Sequence, residues 1–490
     1  MPITKYLLML SLGMGLAIGR VARAADTVSA GPLFERFNLT LAPGQRTEVV
    51  SPFFYTEQKE EQHTWAIPPL TLSYAKDPSV DTEEFDFAYP IISYARFGSE
   101  YRFQIFQVFA FAGGNDQKGD TARRFTLFPI YFQQRSKDPN LNYTAILPLF
   151  GTLKNRLFRD RIDFVLFPLY SKTKKSDVIT HNMPWPVFSI SRGDGLYAWQ
   201  FWPLTGHDHK VVTTRTNGFN EVETVPGHDS RFVMWPFFFN SDLDIGTDHP
   251  AWEQTFIPFY TLYRSKLRNS TTYFWPLGLT HTVDDEKHFH QWAAPWPLIV
   301  FDRGSGKYTS RVWPFYSHST NQSLTSDWIM WPVYKYSRVL APPLYHERTR
   351  SLFFFYSDLK ETNQETGASM RRMDLWPVFT HHRDFNGDER LQILSVIEPV
   401  LPDNHKVERI YSHVYALCRA ERNGKTGANS QSLLWNLYRH DEWPEGKKTS
   451  LLFGLFQYQS TPAGRRWRVC YIPFGRAQGP PPGHRSDVKS

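Results

Sequence analysis

Apolar and polar stretches alternate along nearly the whole chain, and the apolar ones are short. They are rich in Phe, Tyr, Trp, Val, Ile and Thr and are bounded by Gly, Asn, Asp, Ser and Lys. Such runs read as β-strands, and the 3.6-residue rhythm of an amphipathic helix is nearly absent. Residues 225–300 show the pattern most clearly, with expected strands at 231–239, 254–262, 272–280 and 292–301. At about ten residues per strand the chain is expected to hold about 20 strands, in a propeller-like, layered or closed-barrel arrangement of antiparallel sheets.

Inside these runs an aromatic-proline step recurs. Eight Trp-Pro pairs are present: Trp185-Pro186, Trp202-Pro203, Trp235-Pro236, Trp275-Pro276, Trp296-Pro297, Trp313-Pro314, Trp331-Pro332 and Trp376-Pro377. Tyr89-Pro90, Phe128-Pro129, Leu147-Pro148, Phe167-Pro168 and Ile257-Pro258 fill the gaps, and a large apolar residue usually follows the proline. Self-similarity of this kind marks a repeat architecture.

A longer repeat overlies the step. After Pro90, Pro186 and Pro297, an Arg follows six residues on (Arg96, Arg192, Arg303) and a Tyr eleven on (Tyr101, Tyr197, Tyr308), with glycines between them. Glycine there supplies the positive φ that a hairpin turn needs. A fourth, altered copy is expected between Pro399 and Cys418, with His405 in place of the Arg. Anchored on this hairpin, the body at 25–476 divides into expected units of about five strands at 125–206, 232–318 and 328–418, flanked by partial units at 45–112 and 432–475.

The alternation within one run gives the faces. In 328–336, Trp328, Met330, Pro332, Tyr334 and Tyr336 share one face, and Ile329, Trp331 and Val333 share the other. A strand apolar on both faces reads as buried, and burying each such aromatic stabilises by roughly 1.5–3 kcal/mol. Proline donates no ladder hydrogen bond and is confined to edges, strand starts or bulges. The step is therefore expected to be a buried bend where two apolar surfaces meet.

At the N-terminus Lys5 precedes an apolar run from Tyr6 to Ile18, and Ala22-Arg23-Ala24 follows as a small-x-small cleavage pattern. Residues 1–24 thus read as a secretory signal peptide, and the Pro/Gly-rich tail at 477–490 as disordered. No other run reaches the length of a membrane-spanning helix. The net charge of +7 is spread through loops of both signs, whereas nucleic-acid binders gather basic charge on one face. No nucleic-acid partner is expected. Two cysteines, Cys418 and Cys470, do not make a disulfide framework for a chain of this size.

Candidate chemistry is sparse. His207-Asp208-His209 and His288-Phe289-His290 place two histidines on one face if extended, but a metal site needs further ligands. Asp384-Phe385-Asn386-Gly387-Asp388-Glu389 lacks the ligand order of a calcium loop and reads as an Asn-Gly turn. No nucleophile-elbow, zinc-protease, phosphate-loop or Cys-x-x-Cys motif is present, so no catalytic residue, metal or cofactor is assigned. The ordered Arg96, Arg192 and Arg303 with Tyr101, Tyr197 and Tyr308 read first as hairpin braces. Their functional alternative is a ligand cradle, with Arg meeting anionic groups and Tyr stacking on sugar rings.

These observations point to an exported, non-enzymatic β-repeat protein of a bacterial cell envelope. It would act as a scaffold or binding surface for envelope polysaccharide or protein. An outer-membrane β-barrel serving as a channel or transporter is the first alternative, and a carbohydrate-active enzyme the second.

Overall fold

The computed structural model describes residues 31–474 apart from 32, 116–120, 217, 219 and 463. The expected signal peptide and tail lie outside the described residues. The fold is all-β, as the sequence predicts, but the described residues contain 45 strands rather than about twenty. The expected strands proved to be hairpin ends. In 254–262, for example, the strand Ala251–Phe256 finishes, Ile257-Pro258-Phe259 turns, and Tyr260–Ser265 begins. The proline, with no N–H to give to a ladder, sits in the turn and not in the strand. The peptide bond before it is cis in all eight Trp-Pro pairs. Most strands are consequently about six residues long, or some 20 Å.

Forty-three strands join in one antiparallel sheet. Each pairs with the next in the chain, from Glu35–Asn38 to Ile472–Phe474. One departure occurs: Thr205–Lys210 pairs directly with Gly227–Val233, and the residues between them form a separate hairpin of Thr213–Thr216 and Val222–Val225. Among the described strands no ladder joins the first to the last, so the sheet is not closed into a barrel.

Two alternations organise the sheet. Successive turns fall alternately on its two edges, so every aromatic-proline turn lies on one edge. The opposite edge carries polar turns such as Ser176-Asp177, Asp194-Gly195 and Gln322-Ser323. The two faces also differ. At equal depth beside the proline edge, Phe256, Tyr260, Tyr273 and Leu279 stand in register on one face. Thr255, Thr261, Thr272 and Thr280 stand in register on the other.

The two ends of the sheet meet through side chains. Hydrogen bonds between residues more than 300 apart in sequence all connect the first strands with the region after Asp388: Thr40 with Ser430, Arg46 with His413, Glu48 with Asn436, Asp86 with Lys406 and Arg409. Their polar faces, rich in charged side chains, look at each other across a cavity of about 740 Å³. Residues 405–415 fill part of the gap as a short helical insert with a π-type middle, Glu408–Ser412. This insert occupies the place where a fourth Arg-Tyr hairpin was expected, and His405 starts its first turn. Asn404 caps that turn, its side chain accepting the N–H groups of Lys406 and Val407.

Candidate functional site: an apolar edge and a charged seam

The proline edge is a continuous structure. Each turn donates a backbone N–H to the turn before it: Trp185 to the Pro168 carbonyl at 2.8 Å, Trp235 to Pro203 at 2.7 Å, Trp331 to Pro314 at 2.8 Å. Trp202, Trp296, Trp313 and Trp376 donate likewise to Val187, Gly278, Leu298 and Phe355. The carbonyls that a mid-strand proline would strand are thus satisfied along the rim.

That rim is exposed, which corrects the expectation of a buried bend. Trp185, Trp235, Trp275, Trp296, Trp313 and Trp331 are all exposed, and Trp202 and Trp376 are half-buried. The tips protrude furthest: Phe106 is 63% exposed, Phe128 58%, Phe274 69%, Phe315 62% and Met330 58%. The large residues flanking the prolines point outward because the sheet is one layer and no second layer covers its edge. Behind the tips, on one face only, runs a row of apolar residues paired strand to strand. One stretch reads Phe109, Leu127, Tyr131, Ile146, Phe150, Val165 and Tyr170. Another reads Val312, Tyr316, Ile329 and Tyr334. Tip and first row together make an apolar band about 7–10 Å deep, judged from the strand rise. Scattered apolar surface is ordinary on a protein, but a contiguous apolar tract marks a place of contact.

The six repeated Arg and Tyr residues share the face of that band but lie toward the polar edge. Arg96 stands opposite Tyr101 and Arg192 opposite Tyr197. The guanidinium of Arg192 lies 5.4 Å from the Tyr197 ring centre, and that of Arg303 lies 4.4 Å from Tyr308. Arg96 instead holds Asp81 at 3.1 Å and Glu83 at 3.2 Å. Gly98 and Gly195 in these turns have φ of +56° and +71°, the values a side chain would oppose. Arg192 and Arg303 brace their own hairpins against Tyr197 and Tyr308, whereas Arg96 ties its hairpin to the preceding strand. The three hairpins are far apart along the sheet and do not converge on one ligand position.

The seam gathers the buried charge. Arg409 donates to Glu84 at 3.0 Å and Asp86 at 2.8 Å, and Lys406 reaches Asp86 at 2.9 Å. Arg390 pairs with Glu398 and Glu408, Arg419 with Glu421, and Arg439 with Asp441. Arg46 Nε lies 2.9 Å from Glu48 Oε1 without hydrogen-bond alignment. His413 is enclosed between two guanidinium groups, Arg46 at 2.8 Å and Arg419 at 3.0 Å. Burial, reinforced by those cations and Arg390, holds its pKa well below the ordinary histidine value. Burial raises Glu35 to about 7 against the pull of Arg439, and lowers Lys448 to about 8. Cation and carboxylate alternate across the cavity, which suits closure of the sheet better than selection of a charged ligand.

Asp384 accepts the N–H groups of Asn386 and Asp388 and closes a tight turn, as the Asn-Gly reading predicts. Cys418 and Cys470 are free thiols. No described helix is long and apolar enough to cross a membrane. No protein-family model matches the chain, and no curated protein matches it either.

Proposed function

We propose that this chain is an exported, non-enzymatic scaffold of the bacterial cell envelope that seats its aromatic-proline edge in a lipid surface. The observation that carries the reading is that every aromatic-proline turn falls on one edge, while the other edge is mostly polar, with the exposed Leu157-Phe158 and Pro342-Pro343 turns as its apolar exceptions. A globular partner would meet only a few of these turns. A lipid layer, which is extended and uniform, meets them all alike.

The dimensions support a seat at the surface. Six-residue strands fall short of the 9–11 residues of a spanning β-strand. An apolar band of about 7–10 Å fits the ~5–10 Å depth of interfacial insertion, and Trp and Tyr are the side chains that favour the boundary of lipid and water. These lengths favour an edge-on seat over a channel-forming barrel. The remaining polar face and polar edge would then stand in water as the surface offered to polysaccharide or protein.

Flotation of the purified chain with phospholipid vesicles tests the proposal. Co-flotation that is lost when Phe106, Phe274 and Phe315 are changed together to Asp supports it. Absence of the wild-type protein from the vesicle fraction would overturn it.

A further inference from the structure

His207 and His209 occupy alternate positions of the strand Thr205–Lys210, so both side chains leave the same face. On the paired strand Gly227–Val233, Asp229 stands directly opposite His209. Asp229 Oδ2 lies 3.1 Å from His207 Nε2 and 3.1 Å from His209 Nδ1. The other carboxylate oxygen, Oδ1, is 3.1 Å from His207 Nε2 and 3.3 Å from Arg231 Nε. One donor atom from each of the three residues falls within 4.8 Å of the others.

These separations suit coordination. In a tetrahedral site with bonds of 2.0–2.1 Å, ligand atoms stand about 3.3 Å apart. The two nitrogen-to-oxygen separations are already close to that edge, so an ion could enter with little movement of the backbone. Two imidazoles and a carboxylate form the donor set of borderline divalent metals, with one position left for water. All three side chains are half-buried or exposed, which leaves a path from solvent.

We propose that His207, His209 and Asp229 form a binding site for a divalent ion of the Zn²⁺ class. The site clamps the one pair of neighbouring strands, among the described residues, between which a separate hairpin is inserted. Every other ladder over residues 44–393 joins strands separated by no more residues than the six at 137–142, whereas Thr205–Lys210 and Gly227–Val233 are separated by residues 211–226. A bound ion would tie the base of that excursion. On the opposite face the same two strands are tied by His228 Nε2 and Asp208 Oδ1 at 2.9 Å, which provides an internal control.

Titration calorimetry of the full chain with Zn²⁺, together with the visible spectrum of the Co²⁺ form, tests the proposal. The wild type is expected to bind one ion whose Co²⁺ spectrum is tetrahedral. His209→Gln and Asp229→Asn should each weaken that binding by at least the tenfold to hundredfold that loss of a supporting residue costs, with circular dichroism unchanged. His228→Gln, on the other face, should bind as the wild type does. Failure of the wild type to bind Zn²⁺, or binding that survives both His209→Gln and Asp229→Asn, would overturn it. The readout is independent of lipid, so the site stands or falls apart from the proposed seat.

Discussion

Trp331 donates its backbone N–H to the carbonyl oxygen of Pro314 at 2.8 Å, across two neighbouring turns of the sheet edge. Repeated along the edge, that link turns a row of separate hairpin ends into one continuous apolar rim. The indole and phenyl rings carried by the rim are held at a common level because the backbones behind them are bonded to each other.

The tips should contribute to lipid binding roughly additively, since they are separate and exposed. Transfer of one Phe side chain out of water stabilises by about 1.5–3 kcal/mol. Phe274→Asp or Phe315→Asp alone should therefore reduce vesicle partitioning by about tenfold or more. Far-ultraviolet circular dichroism should not change. Partition coefficients measured by flotation against lipid concentration check this.

The seam depends on Arg409, which joins Ser73, Glu84 and Asp86 to the helical insert. Arg409→Ala leaves Asp86, which is fully buried, with Lys406 as its only cation. Breaking a buried pair from one side costs about 3–5 kcal/mol. Hydrogen exchange should rise in the insert at 405–415 and in the strands Leu72–Asp77 and Thr82–Phe87, with the middle of the sheet unaffected.

Glu35 should make the seam less stable as pH rises. Its pKa is raised by burial from 4.5 to about 7, so the folded state holds a proton that the unfolded state gives up between those values. The stabilisation is complete below about pH 4.5, declines as pH rises through that window, and is gone above about pH 7. Glu35→Gln should accordingly raise the denaturation midpoint at pH 8 and leave it nearly unchanged at pH 4.5.

His413 acts in the opposite direction. Burial depresses its pKa, so its contribution is present above about pH 6.5, the unfolded value, and is lost as pH falls below that toward the folded value. Between pH 6.5 and 5 the wild type should lose more stability than His413→Gln. Denaturant melts of both proteins across that range check the difference.

The all-β class was legible because strand-forming residues and turn residues alternate throughout. The strand number was not. In 254–262 the apolar run continues through Ile257-Pro258-Phe259, and hydrophobicity alone does not show that the chain reverses there. The missing donor of Pro258 was the available signal, and it indicates a turn as readily as a bend. Trp185 and Phe315 were expected to be buried because the runs that carry the aromatic-proline step are apolar on both faces. Their exposure follows from the single-layer sheet, a tertiary property with no mark in the local pattern. His207 and His209 were visible as a pair on one face. Asp229, the residue that completes the triad, was hidden because residues 211–226 intervene before its strand returns to pair. The insert at 405–415 lacks a long helical period, so its place in the seam emerged only from contacts such as Arg409 with Asp86.

The seating of the edge in lipid is tested most directly by the depth of two spin labels, one at each edge of the sheet. With Cys418 and Cys470 changed to Ser, single cysteines at Phe315 on the apolar rim and at Gln322 in a polar turn would carry the labels. Both positions are exposed, and both flank the strand Tyr316–Asn321. On phospholipid vesicles, the label at position 315 should become accessible to oxygen and shielded from a water-soluble paramagnetic reagent, at a depth of about 5–10 Å. The label at position 322 should remain in water. Equal aqueous exposure of the two labels on vesicles would contradict the account.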